Sequence, residues 1–252
     1  MRSLYLTLTV LAVLLVGAPA TPQPPPVDAS SAVFTVFSRG TPVGSFQTSV
    51  ADTADGWTIT SFGRLGSPMG IILRRATIHY DQQWHPLALT IDATTRGEPT
   101  SVETTFANGT AHEQITTKGT PVSTTETVAA DAVLLPNPFF GAYEALAARV
   151  ANAPAGTVLS IYAAPHVQYQ ARVGPSSSET LQTAEGIVTG RQTSVTFLPT
   201  GQPPVDASLL IDRSGRLLRL IIPSQGLQVV RDDIAAVSTR RVTISRPNDQ
   251  SV

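Results

Sequence analysis

The chain contains no cysteine. No disulfide can staple it, so its fold must be held by buried apolar surface and backbone hydrogen bonds, which favours one large core over a small cross-linked domain. Charge is scarce too: 14% of the 252 residues are charged, against 42% hydrophobic. The 17 basic and 18 acidic side chains nearly cancel. That balance supplies no electropositive surface for nucleic acid or an anionic membrane. Catalytic signatures are missing as well. A hydrolase nucleophile elbow needs G-x-S-x-G, but Gly66-Ser67-Pro68-Met69-Gly70 has its glycines at the wrong offset and Pro223-Ser224-Gln225-Gly226 lacks the first one. There is no glycine-rich phosphate loop and no EF-hand spacing. His112-Glu113 starts like a zinc-protease motif, but Thr116 stands where the second histidine belongs and the context is a strand. No metal site, catalytic group or cofactor is therefore expected.

What is present begins with an address. Arg2 precedes an apolar run over residues 4–16, and Ala18 and Ala20 place small residues where a signal peptidase reads. The run is too short to span a bilayer permanently, and no stop-transfer pattern follows. Residues 1–20 read as a secretory leader, with the mature chain starting at about Thr21. The protein is expected to be exported, periplasmic or extracellular. With no cysteine after the cleavage point, a lipoprotein anchor is excluded, and no integral membrane segment is expected after cleavage. Removing Arg2 with the leader leaves 16 basic side chains against 18 acidic ones.

Residues 21–32 (starting TPQPPPVDA) form a proline-rich tether in which three consecutive prolines favour extended geometry. From Val33 the apolar period becomes two. Residues 33–38, 43–51 and 56–62 read as short strands, followed by five Thr-rich runs at 71–80, 87–95, 100–107, 110–118 and 122–128. Asn108-Gly109 between two such runs is a strong hairpin signal, because both central residues need positive φ. Breaks every ten to twelve residues describe an antiparallel meander. One helix interrupts it at about 138–152, with Asn137 as cap, Pro138 in the first turn, and Phe139, Phe140, Tyr143, Leu146, Ala147 and Val150 at three-to-four spacing. Strands resume at 158–163, 167–173, 190–198, 205–212, 216–222 and 227–231. The fold class is therefore mainly β: a curved antiparallel sheet, a half-barrel or open barrel, packed around one central helix. Residues 33–237 form a single domain, and 238–252 read as a terminal strand running into a linker.

Three features are candidates for function. Arg74 shares strand parity with Ile72, Ala76, Ile78 and Tyr80, which would turn a cation inward as an anion-binding group. Ile71 and Leu73 have the opposite parity, so Arg74 reads equally as a snorkelling or carboxylate-paired cation. Arg231-Asp232-Asp233 could supply paired carboxylates for acid–base work, or simply a local ion pair and cap at a strand end. The aromatic set Trp57, Trp84, Phe139, Phe140, Tyr143 and Tyr162 reads as core, or as the lining of a pocket for an apolar ligand beneath a curled sheet. Phe139, Phe140, Tyr143, Arg74 and Trp57 are the candidate ligand-binding residues.

Two segments carry a resemblance. LLPNPFFGAYEALAARV (134–150) and DRSGRLLRLIIPSQGLQVVRDDIAAVSTRRVTISRPND (212–249) resemble the N-terminal, non-catalytic β-rich region of certain secreted bacterial α/β-hydrolase-fold proteins. The resemblance implies an accessory module that positions substrate or partner surfaces for a hydrolase domain following near Asn248-Asp249. This chain stops at Val252, so no catalytic residue of such a hydrolase is carried over. By architecture alone the expected fold is also similar to periplasmic lipoprotein-carrier half-barrels. Two further readings remain: a periplasmic carrier for an apolar or amphiphilic ligand, and an enzyme in which Arg74 or Asp232 and Asp233 converge with a histidine.

Overall fold

The computed structural model describes residues 31–183 and 186–235. The expected leader, most of the tether and the expected linker from 238 lie outside the described residues. The tether ends two residues earlier than expected, because Ser31 and Ala32 already belong to the first strand.

Eight strands run out from the middle of the sheet in sequence order. They are β1 (Ser31–Ser38), β2 (Thr41–Thr53), β3 (Gly56–Leu65), β4 (Ile71–Tyr80), β5 (Pro86–Thr95), β6 (Glu98–Ala107), β7 (Thr110–Thr117) and β8 (Thr120–Thr127). Arg39-Gly40, Arg96-Gly97, Asn108-Gly109 and Lys118-Gly119 all take the positive φ of two-residue hairpin turns. After the two-residue strand β9 (Val133–Leu134) comes a 3-10 turn at Phe140–Ala142 and helix α1 (Tyr143–Val150). The chain then returns through β10 (Val158–Ala163), β11 (Val167–Thr183), β12 (Gly186–Leu198), β13 (Val205–Ile211), β14 (Leu217–Ile222) and β15 (Leu227–Arg231), ending in α2 (Asp232–Ala235). β11 and β12 are longer than expected. The polar run Ser176–Ser178 has no apolar alternation to announce a strand, yet it pairs with 191–193 of β12.

All fifteen strands form one sheet, in the order β8-β7-β6-β5-β4-β3-β2-β1-β15-β14-β13-β12-β11-β10-β9. The mainly β, open-barrel expectation holds. β1 joins the two halves by pairing with β15 (Phe34 opposite Arg231), and only β9 with β10 is parallel. The terminal strands β8 and β9 do not pair, so the barrel stays open along a seam. Side chains bridge that seam: Gln168 Nε2 donates to Thr127 O at 2.8 Å, His166 meets Glu126, and Phe106 packs edge-on against Tyr162 at 5.7 Å.

Alternation along the strands fills the interior. Phe34 and Val36, Ile59, Leu89 and Ile91, and Ala171 and Val173 are buried on the concave side. α1 lies within that concavity, against β9 and β14. Its Ala145, Leu146, Ala147 and Val150 are fully buried, so the helix plugs the bore. A carboxylate anchors it. Glu144 accepts hydrogen bonds from Arg216 Nε (3.0 Å), Arg216 Nη2 (2.9 Å) and the Leu217 backbone N–H (3.0 Å). A second, small cluster sits outside the sheet, where Ile234 of α2 covers Leu210, Leu218 and Val230. No helix among the described residues is long and apolar enough to cross a membrane, which says nothing of crossing by strands.

The helix starts later than the sequence suggests. Asn137 makes no capping hydrogen bond, and the α-helix begins at Tyr143 behind the 3-10 turn. The reason is a close approach: Gly141 lies against the buried, hydrogen-bonded pair Thr48–Ser61 of β2 and β3. The chain must first lay that glycine on the sheet and only then turn into the bore.

Candidate functional site

Because the strands are antiparallel and α1 runs along the bore, the two mouths of the barrel are built differently. One mouth is ringed by the β1–β2 turn, the β3–β4 connection, residues 136–139, the β12–β13 loop and the 3-10 turn Pro223–Gln225 between β14 and β15. Here the helix start falls short of the rim and leaves a cup of about 720 Å³. Its walls are Phe140 and Tyr143 from the plug, Tyr169 of β11, Phe197 of β12, and Met69, Ile222 and Leu227. The rings form a continuous ladder across the bore, from β1 and β2 to β11 and β12. Phe34 stacks on Phe46 at 5.2 Å, Phe46 meets Phe140 at 6.3 Å, and Phe140 meets Tyr143 at 6.2 Å. Phe197 then receives both tyrosines edge-on, Tyr143 at 6.5 Å and Tyr169 at 6.0 Å. Such pairs contribute roughly 0.5–1.5 kcal/mol each beyond burial, so the wall is a rigid surface.

The cup is lined mainly by aromatic and apolar side chains. Burial raises both phenols above their ordinary range, Tyr169 to about 12 and Tyr143 further, the latter assisted by the nearby Tyr169. Both stay neutral at physiological pH and serve as hydrogen-bonding groups. Among the described residues, no aspartate, glutamate, histidine or lysine lines the cup.

The opposite mouth holds a wider groove of about 1020 Å³, lined by Trp57, Trp84, the serines 176–178 and the turn 212–216. Trp57 and Trp84 stack at 5.1 Å. Two of the charges in this groove are held by the protein itself: Glu144 holds Arg216, and Asp212 caps its own turn through Ser214 N and Arg216 N, both at 2.9 Å. It is a wet groove with no comparable apolar wall.

The sequence candidates are therefore divided. Phe140 and Tyr143 share the cup, and Phe139 flanks it in a narrow crevice with Phe46 and Leu73. Trp57 belongs to the other mouth. Arg74 is a correction to the inward-facing expectation. A bulge between Leu73 and Arg75 inserts one residue into β4, so Ile71 and Leu73 and then Ala76, Ile78 and Tyr80 all point inward. Arg74 is left on the outer face, where Nε and Nη2 grip Asp92 and Nη1 donates to Thr94 Oγ1 at 3.0 Å. Asp232 and Asp233 lie far from it, bound to Thr35 and Arg231 respectively. No histidine joins these groups, and the convergence the enzyme reading needs is not there. His112 sits exposed on β7 beside Thr125. Tyr169, Phe197, Ile222 and Leu227 were not singled out from the sequence. Phe197 and buried Val195 share one face of β12, but nothing local says which strands face the helix start.

No protein-family model matches the chain, and no curated protein matches it in sequence. Its fold has been seen before. A β-barrel-like protein of the domain of unknown function DUF1849 from Brucella abortus is similar with a TM-score of 0.51 at 8% identity, covering 80% of this chain and 93% of that one. At that identity the likeness is one of fold alone. A protein with a YmcC-like fold from Bacteroides fragilis overlaps 80% of this chain and 92% of its own at 6% identity, but its TM-score of 0.32 is too low to use.

Proposed function

We propose that the protein is an exported, non-catalytic binding module that takes the apolar part of a small ligand into the aromatic cup at the start of α1. The observation that carries this reading is the cup itself, about 720 Å³ walled by Phe140, Tyr143, Tyr169 and Phe197, with no carboxylate, histidine or lysine among its described lining residues. Its volume falls in the roughly 300–1,000 Å³ range of small-molecule sites, and an apolar wall with few polar groups is the usual composition of such a site. The leader-like residues 1–20 support export.

Native mass spectrometry of the protein purified without detergent tests the reading. An adduct of a few hundred daltons that organic solvent removes, and that Phe140→Ala fails to retain, is the expected result. Protein that is always ligand-free, and into which no uncharged apolar probe can be titrated, would sink it.

The accessory role implied by the hydrolase resemblance is a second reading. It is favoured by where the two resembling segments fall, since 134–150 spans the plug and 212–235 spans β14, β15 and α2 beside it. In that role the cup would hold the apolar end of a hydrolase substrate. Intact-mass measurement of the native exported protein separates the two: a species much heavier than this chain supports the accessory role, and one running from about Thr21 to Val252 supports a free-standing carrier.

A further inference from the structure

Among the described residues, the rim of the cup carries one charged side chain. Arg39, exposed on the β1–β2 turn, lines the mouth together with Ser38, Asn137, Gln202 and Gln225. Five other arginines of the sheet and its turns are matched to carboxylates: Arg74 to Asp92, Arg149 to Asp131, Arg216 to Glu144, Arg219 to Glu179, and Arg231 to Asp233. The Arg39 guanidinium makes no hydrogen bond or ion pair with any described residue, and no acidic side chain lines the cup beside it. A guanidinium is a permanent cation with a planar fork that fits carboxylate and phosphate oxygens.

Its position is built rather than accidental. The Arg39 backbone N–H donates to Gly226 O at 2.6 Å, tying the β1–β2 turn to the rim between β14 and β15. Gly226 has φ +60, and a Cβ there would come within 2.9 Å of Arg39 Cγ. The missing side chain lets the aliphatic stem of Arg39 lie across Gly226, beside the rim residues Gln225 and Leu227. Below this cation, the Tyr143 and Tyr169 hydroxyls have no protein partner among the described residues.

From this we infer that the ligand is a single-tailed anionic amphiphile, its chain against Phe140, Tyr143 and Phe197 and its carboxylate or phosphate head held by Arg39. This rests on the proposed binding role of the cup and deepens it. A permanent cation over an apolar cup discriminates by charge: anions gain, neutral chains gain nothing, and cations are disfavoured. Arg39 remains solvated, so the preference is modest, about fivefold, and shrinks with added salt.

The test uses displacement of an uncharged fluorophore, N-phenyl-1-naphthylamine, by decanoate, decyl phosphate, decanol and decyltrimethylammonium, all below micelle-forming concentrations. The expected result is probe binding to the wild type, with the two anions displacing it at about fivefold lower concentration than decanol. Whichever anion acts at the lower concentration identifies the head as carboxylate or phosphate. In Arg39→Ala the ratio of anion to decanol falls to one, and in Arg39→Lys it is partly kept. Equal displacement by decanoate, decyl phosphate and decanol in the wild type, or a ratio unmoved in Arg39→Ala, overturns the anion inference and leaves the cup as a neutral apolar site. A wild-type protein that never binds the fluorophore overturns the binding role and this inference with it.

Discussion

Replacing Glu144 tests how the plug is held. Its carboxylate is 1% exposed and receives three hydrogen bonds, two from Arg216 and one from the Leu217 backbone. Glu144→Ala takes away both acceptor oxygens and all three bonds at once. The Leu217 N–H is left buried and unpaired, and the Arg216 guanidinium, 19% exposed, loses its counter-charge. Breaking one side of a buried pair costs about 3–5 kcal/mol, and the partial exposure of Arg216 places this variant near 3 kcal/mol. Glu144→Gln retains an acceptor for the Leu217 N–H but loses the charge-assisted bonds, for a cost of about 1.5 kcal/mol. For a chain of this size each kcal/mol lowers Tm by about 2–4 °C, so Glu144→Ala should melt about 6–12 °C lower. The assay is urea unfolding followed by far-ultraviolet circular dichroism, with the denaturant slope unchanged between variants. A loss below about 1 kcal/mol for Glu144→Ala, or equal losses for Ala and Gln, would refute the reasoning, because the carboxylate would then be solvated rather than holding α1 to β14.

Three further expectations concern other parts of the barrel. Gly141→Ala places a methyl group within 2.6 Å of Thr48 Oγ1 and closer still to Ser61 Oγ, which should cost about 1–3 kcal/mol in the same unfolding assay; a neutral result would mean the helix start is free to shift. Glu113, 1% exposed, has its carboxyl raised by burial, against the opposing pull of His166 at 3.6 Å and a bond from Thr104 at 3.4 Å, with Glu126 and Tyr162 nearby. A raised acid keeps its proton longer when folded, so stability falls as pH rises from the ordinary glutamate range to the raised value. Glu113→Gln should abolish that fall, so its stability advantage over the wild type widens across this interval and is level above it; parallel pH profiles would contradict the assignment. Finally, the two tryptophans are Trp57 and Trp84, stacked at the mouth opposite the cup. Ligand in the cup should perturb tyrosine signals in near-ultraviolet circular dichroism while tryptophan emission holds its wavelength, and a large tryptophan shift would move the ligand to the other mouth.

Much of this architecture was legible because it is local. The Asn108-Gly109 hairpin and the strands on either side follow from turn chemistry and a period of two, and both appear within a residue or two of expectation. The chain also announced a single helix with an aromatic start. What was hidden depends on contacts across the sheet. The β4 bulge flips the parity that made Arg74 ambiguous, and bulges follow from sheet curvature rather than composition. Gly141 delays the helix because of the hydroxyls of Thr48 and Ser61, on strands far upstream in the chain. The site was half visible: Phe140 and Tyr143 stood out on their own helix, whereas Phe197, Tyr169 and Arg39 join them only once β1 has met β15 and the ring of turns is assembled.

That meeting of β1 and β15 gives the molecule an unusual economy of connection. Starting from β9 and walking across the sheet, the strands are met in their order along the chain up to β15, and then from β1 to β8. The topology is that of a simple meander rotated, with its cut at the centre and its two outer edges joined covalently through 128–132. A circular permutant opened at that connection, its old ends bridged from Ala235 to Ser31, would have strands adjacent in space wherever they are adjacent in sequence. In the natural order, the strand pairing of longest range joins residues almost two hundred positions apart, and its loop-closure entropy is the largest of any strand pair. The two leaves of the barrel can each form by local steps, while the cup exists only after that single distant pairing is made.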